Sequence, residues 1–264
     1  MAGLLGDIGT LGWCRRTKAR LSRGESARFI TAIIAQTLRS LPRTLLSRLG
    51  LGLGGPDPSA FKPPDTALTR HALEQCAELS PMLIEHSARS YLFARGLGAR
   101  DGLTYDDEAL FVACMLHDLA FPSVDTTADH CFGWEGAELA AAALQQSAMA
   151  PESVHDVLDA IALHLNPWVQ PSQGVLQHLL HAGVMVDTVG VRAWDLDPEG
   201  VARVIARHPR ERFVLDGWSG FQAHARRVPG GRANRAVRCG FGYALRIGPW
   251  HHHERQHLPA GGAP

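Results

Sequence analysis

No CxxC pair occurs in this sequence. The five cysteines, Cys14, Cys76, Cys114, Cys131 and Cys239, are scattered and odd in number. That excludes a disulfide framework and a paired-cysteine zinc site, and it fits a reducing compartment. Net charge is missing as well, with 26 basic side chains against 26 acidic ones, so the chain as a whole has no electrostatic pull toward nucleic acid. No apolar run is long enough to span a bilayer and there is no secretory h-region. Alternating strand patterns and internal repeats are also lacking. The expectation is a cytoplasmic, all-α protein of one large domain with extensions, its 264 residues being enough for a sizeable core.

Three zones follow. Residues 1–60 form a basic extension, with nine Lys/Arg and only Asp7 and Glu25 as acids in the first 50. Within it, Ile30, Ile33, Ile34, Leu38 and Leu41 recur at helical spacing, and Pro42 should end or kink that helix. Residues 26–46 suit a contact with the main body or a second subunit, a peripheral membrane contact, or, as a third reading, part of a targeting peptide. The main body, 61–225, reads as helices at 66–78, 81–97, 106–120, 135–147, 151–165, 174–189 and 197–207. Thr104 with Asp107 resembles a capping box. Residues 226–264, rich in Arg and His, read as a flexible tail in which His251, His252, His253 and His257 are incidental metal scavengers.

Titratable residues sit on apolar faces of four of these helices. His86 shares a face with Leu83 and Phe93, the His117-Asp118 pair ends an apolar run, His164 follows the stripe of Val157 and Ile161, and Asp187 follows Leu180 and Val184. A divalent cation is the economical way to neutralise two carboxylates and hold two neutral imidazoles in one dry place. Mixed nitrogen and oxygen donors suit zinc first, then iron, manganese, cobalt or nickel. The expected metal set is therefore His86, His117, Asp118 and Asp187, around one ion.

This ordered set, in an all-α chain, resembles the HD-domain superfamily of metal-dependent hydrolases. The stretches "HSARSYLF", "MLHDLAF", "FGWEGAELAA", "IALHLNP" and "AGVMVDTVG" are similar, in that order, to its cyanamide hydratase branch, over about residues 62–225. The resemblance implies a metal-activated water acting on a small molecule, with nitrile-like hydration ahead of phosphate-ester hydrolysis. Many HD phosphohydrolases carry an acidic residue or lysine three positions after the paired Asp, where this chain has Phe121. HD-type diiron oxygenases use a lysine close after the pair and two further histidines, and this chain lacks that lysine. Only the histidines, His130 and His164, have counterparts here. Proton transfer is expected of His164 and Glu135, with Arg89 either binding an anionic substrate or pairing with Asp118 or Glu135. Trp134 and Trp168 are expected pocket walls. The partner is a small-molecule substrate, with no nucleic acid.

Overall fold

A computed structural model describes residues 2–48, 54–121 and 129–250. The described residues form thirteen α-helices and no strand. The histidines at 251, 252, 253 and 257 lie outside them.

The main body comprises α4 (Ala67–Gln75), α5 (Pro81–Asp101), α6 (Asp107–Leu116), α7 (Phe132–Leu144), α8 (Pro151–Leu163), α9 (Val175–Val189) and α10 (Pro198–Arg207). These follow the expected seven closely. Pro81, Pro151 and Pro198 each open their helices, where a missing N–H costs nothing. The expected cap of α6 is corrected: Asp106, not Thr104, accepts from the N–H groups of Glu108 and Ala109. Its carboxylate satisfies two orphan donors at once and opposes the positive end of the helix.

Helix α5 is the spine, and its closest neighbour is α9. A Cβ on Gly183 would lie 2.1 Å from the Ser90 carbonyl oxygen, so glycine permits this approach. Residues four apart share a helix face. Gly183 therefore presents Asp187 one turn onward, and Ser90 presents His86 one turn back. The tight crossing is what brings a carboxylate and an imidazole from distant parts of the chain into contact.

The N-terminal region folds onto the same core as α1 (Ala2–Leu5), α2 (Leu11–Thr17) and α3 (Arg23–Arg48), burying Ile8, Leu11, Trp13 and Phe29. Helix α3 does not end at Pro42 but continues to Arg48. Proline there removes only one donor, and Leu38, whose carbonyl loses its partner, is 64% exposed, so water can replace it. Ile34, Leu38, Leu41 and Leu45 form an exposed stripe on this helix.

Of the expected flexible tail, the part up to residue 250 is helical in places, and 251–264 lie outside the described residues. Residues beyond 225 form α12 (Arg232–Arg238) and α13 (Phe241–Ile247), after α11 (Trp218–Arg227). A sparse apolar set holds them: Phe221, Ala225 and Ala233 pack around Phe132, and the buried Trp250 donates its indole N–H to the Val186 carbonyl at 2.8 Å. No described helix is long and apolar enough to cross a membrane.

Candidate metal centre

His86, on α5, is buried, and its Nδ1–H donates to Asp187 Oδ2 at 2.6 Å. His117 follows the last residue of α6, and its Nδ1–H donates to the Cys114 carbonyl at 2.7 Å. Both bonds fix the tautomer, leaving a lone pair on each Nε2. Those two atoms face one another at 3.3 Å. Asp118 Oδ2 completes the triangle, 3.2 Å from His117 Nε2 and 3.7 Å from His86 Nε2. Three acceptors converge on one buried point with no donor between them. Only a proton or a cation makes such an arrangement favourable. Two neutral imidazoles and one carboxylate form the donor set of a borderline divalent ion, so the residues present fit the metal. Among the described residues, His86, His117 and Asp118 are the one His/Cys/Asp/Glu group with this geometry.

His164 stands on the other side of Asp118. Its Nδ1–H donates to the Ile161 carbonyl at 2.6 Å, and its Nε2 lies 3.8 Å from Asp118 Oδ1. Its ring meets His117 edge to face at 5.1 Å.

Charge within this dry centre is set by neighbours working against burial. Burial opposes ionisation of Asp118, but His117, His164 and His86 together outweigh it and hold the carboxyl well below its usual range. Burial leads for His86 and lowers it, the bond to Asp187 opposing only in part. For His117 burial is overcome by Asp118 and the Cys114 carbonyl, and its pKa rises. Burial drives His164 down to about 3, with the charge of His117 adding to it.

The structure gathers three of the four expected ligands and gives the fourth other work. Both Asp187 oxygens are engaged: Oδ1 by Arg89 Nε at 2.7 Å and Arg210 Nη1 at 2.5 Å, and Oδ2 by Arg89 Nη2 at 2.9 Å and His86 Nδ1. Asp187 reaches the cluster through His86. Arg89 pairs with it, not with Asp118 or Glu135, and spends Nη1 on the His208 and Pro209 carbonyls. Arg210 is the residue that sequence reasoning missed. It lies outside any helix and no motif marks it, yet it is 4% exposed and also donates to the Asp187 backbone carbonyl at 2.7 Å. Phe213 was missed as well, and stacks on the His86 ring at 4.7 Å.

Glu135 and His130 pair with each other, Oε2 to Nε2 at 3.4 Å, and His130 is half-exposed. Trp134 packs edge-on to that imidazole and donates to Glu138. Phe121 lies against Phe132, which packs beside His164 and Phe221, so the His164 side is walled by aromatic carbon. Gly136 lets α7 approach, since a Cβ there would sit 3.1 Å from the His117 carbonyl oxygen. Trp168 lines a different cavity.

Residues 83–212 match the family model described as the HD domain. Over those residues the chain is similar to the HD domain. The match spans His86, His117, Asp118 and Asp187 together, and ends at the turn that delivers Arg210. The matched stretch carries a His-His-Asp group able to hold a metal. No curated protein matches the chain.

Buried neutral histidines make the fold acid-sensitive. Burial is the leading cause that lowers His164 to about 3, His181 to about 4 and His224 to about 4. In the unfolded chain each titrates near ~6.5. As pH falls below that value the unfolded state takes up protons that the folded state refuses, so stability drops through the window down to about 3. The urea midpoint should fall steadily between about pH 7 and about pH 5. A flat midpoint over that range would show that these imidazoles are not held neutral.

Proposed function

We propose that this HD domain is a metal-dependent hydrolase or hydro-lyase that adds water to a small molecule, with nitrile-like hydration its favoured chemistry. The observation that carries the reading is the convergence of His86 Nε2, His117 Nε2 and Asp118 Oδ2 without a donor between them. These three residues would hold the ion, and Asp187 would orient His86. When bound, a divalent cation there supplies a Lewis acid and brings the pKa of water from ~15.7 toward ~7.

The protein's own groups divide the remaining work. His164 carries an Nε2 lone pair beside Asp118, so it can accept a hydrogen bond from the attacking water and align it. Glu135 with His130 forms the pair that would carry the proton to the nitrogen of an opened nitrile. Phe132, Phe121 and Phe221 exclude water and favour a substrate with little polar surface.

Two features weigh against the alternatives. A phosphate ester needs cations facing its oxygens, but Arg89 and Arg210 are committed to Asp187. A diiron oxygenase needs a second ligand set, and the Asp118 Oδ1 side offers only His164 among the described residues.

The test is a panel of cyanamide, small nitriles and nucleoside monophosphates, run on metal-reconstituted protein. The expected result is conversion of a C≡N compound, with kcat/KM reduced by about 10²–10⁴ in Glu135→Gln. Phosphate release abolished by Asp118→Ala, with no nitrile turnover, would replace this reading by the phosphohydrolase.

A further inference from the structure

A cavity of about 530 Å³ shares no lining residue with the His86-His117-Asp118 cluster. Helix α3 closes one side of it, and α9, the end of α5 and the turn at 192–195 close the others. Its size falls within the ~300–1,000 Å³ of small-molecule sites.

The lining is cationic. Four arginines, Arg39, Arg43, Arg100 and Arg192, face two carboxylates, Asp101 and Asp195. Arg192 alone engages both of them, with Nη1 and Nη2 on Asp101 at 2.7 and 2.8 Å and Nε on Asp195 at 2.8 Å. Among the described residues no carboxylate forms a salt bridge with Arg39, Arg43 or Arg100, although three guanidinium groups around one cavity repel each other. Of the three, only Arg100 is near enough to Asp101 to act on its charge. Arg39 instead lies over the Trp168 ring, 5.3 Å from its centroid.

The same cavity holds two unsatisfied polar atoms. Trp194 is 6% exposed, and its indole N–H has no acceptor. His178 spends Nδ1–H on the Val169 carbonyl at 2.7 Å, and its Nε2 has no hydrogen-bond partner, Asp101 Oδ2 lying 3.9 Å away. Buried groups of this kind are ordinarily satisfied by water or a ligand. Water would answer both of them and still leave the excess positive charge.

We propose that this cavity binds a small molecule with a flat ring and one anionic group. The ring packs against Trp168 and Trp194, and the anion sits among Arg39, Arg43 and Arg100. Guanidinium groups hold oxyanions through paired N–H donors, and indole faces supply apolar contact at little entropic cost. Two of the arginines come from α3 and the remaining contacts from the main body, so the ligand would tie the N-terminal helix to it. The site is independent of the chemistry at the metal centre and stands whatever reaction occurs there.

Calorimetric titration of the full chain with naphthalene-2-sulfonate tests this, with 2-naphthol as the uncharged ring and inorganic sulfate as the ringless anion. The proposal expects one saturable site for the sulfonate, tighter than for either control. It expects binding about tenfold weaker in Arg43→Glu and in Arg100→Glu, two exposed positions on different helices, and unchanged in His117→Ala. Equal affinity for 2-naphthol, binding indifferent to both arginine variants, binding lost only in His117→Ala, or no binding would overturn it.

Discussion

Replacing Asp187 with alanine should destabilise the protein by about 3–5 kcal/mol, the cost of breaking a buried ion pair on one side only. Asp187 and Arg89 are fully buried and Arg210 is 4% exposed, so the lost carboxylate leaves two guanidinium charges with no water to replace it. The cost takes a large share of the ~5–15 kcal/mol that stabilises an ordinary domain. The same change removes the acceptor for His86 Nδ1–H, releasing the tautomer that points a lone pair at His117. Metal affinity should therefore fall by about 10–100-fold, the usual effect of losing such an orienting partner. Adding Arg210→Met to the alanine variant should recover part of the stability, because one stranded charge goes with it, but none of the metal affinity. A single variant as stable as wild type in urea would show that the three charges are not a buried network.

The second large effect is expected at Arg232. It is fully buried, and Nη1 donates to the Ala162 carbonyl at 2.8 Å and to Asn166 Oδ1 at 3.0 Å, while Nη2 faces the Cys131 and Cys14 sulfurs at 3.5 and 3.7 Å. Asn166 in turn donates to the Ile8 carbonyl at 2.7 Å. One guanidinium from α12 thus joins the main body to the N-terminal region. Gly9 leaves room for it: φ is +92° there, and a Cβ would lie 2.6 Å from Arg232 Nη1. Arg232→Met should strand two buried acceptors at a cost of about 1–3 kcal/mol each. The loss should be felt first in residues 1–22. Trypsin should cut the variant around Arg15–Arg20 well before the main body is attacked. Equal resistance of variant and wild type would mean that the apolar contacts of Trp13 and Ile8 hold the N-terminal region unaided.

The helices of the main body were legible because their apolar positions repeat at helical spacing and most of their starts carry Pro, Thr or Asp, α7 and α9 excepted. Helices α11–α13 were not, since an Arg- and Gly-rich composition hid the few apolar anchors, Phe221, Ala233 and Trp250, that hold them. At the centre, His86, His117 and Asp118 stood out as titratable groups on buried faces. Asp187 stood out in the same way, but periodicity reports burial and not partnership. Its engagement with Arg89, His86 and Arg210 depends on how closely α5 crosses α9 and on the loop after α10, neither of which leaves a local pattern. Arg89 was visible as ambiguous between substrate and ion pair, and the identity of its partner came only from that crossing.

The central claim is that a divalent ion is held by His86, His117 and Asp118. It is tested most directly by metal analysis of protein in which His251, His252, His253 and His257 are replaced by alanine. Trp250 must be kept, because its indole is buried and bonded to Val186. The account predicts one tightly bound divalent ion per chain after reconstitution, lost in His117→Ala and in Asp118→Ala. A chain that binds no metal, or one whose metal content is indifferent to both substitutions, would contradict it.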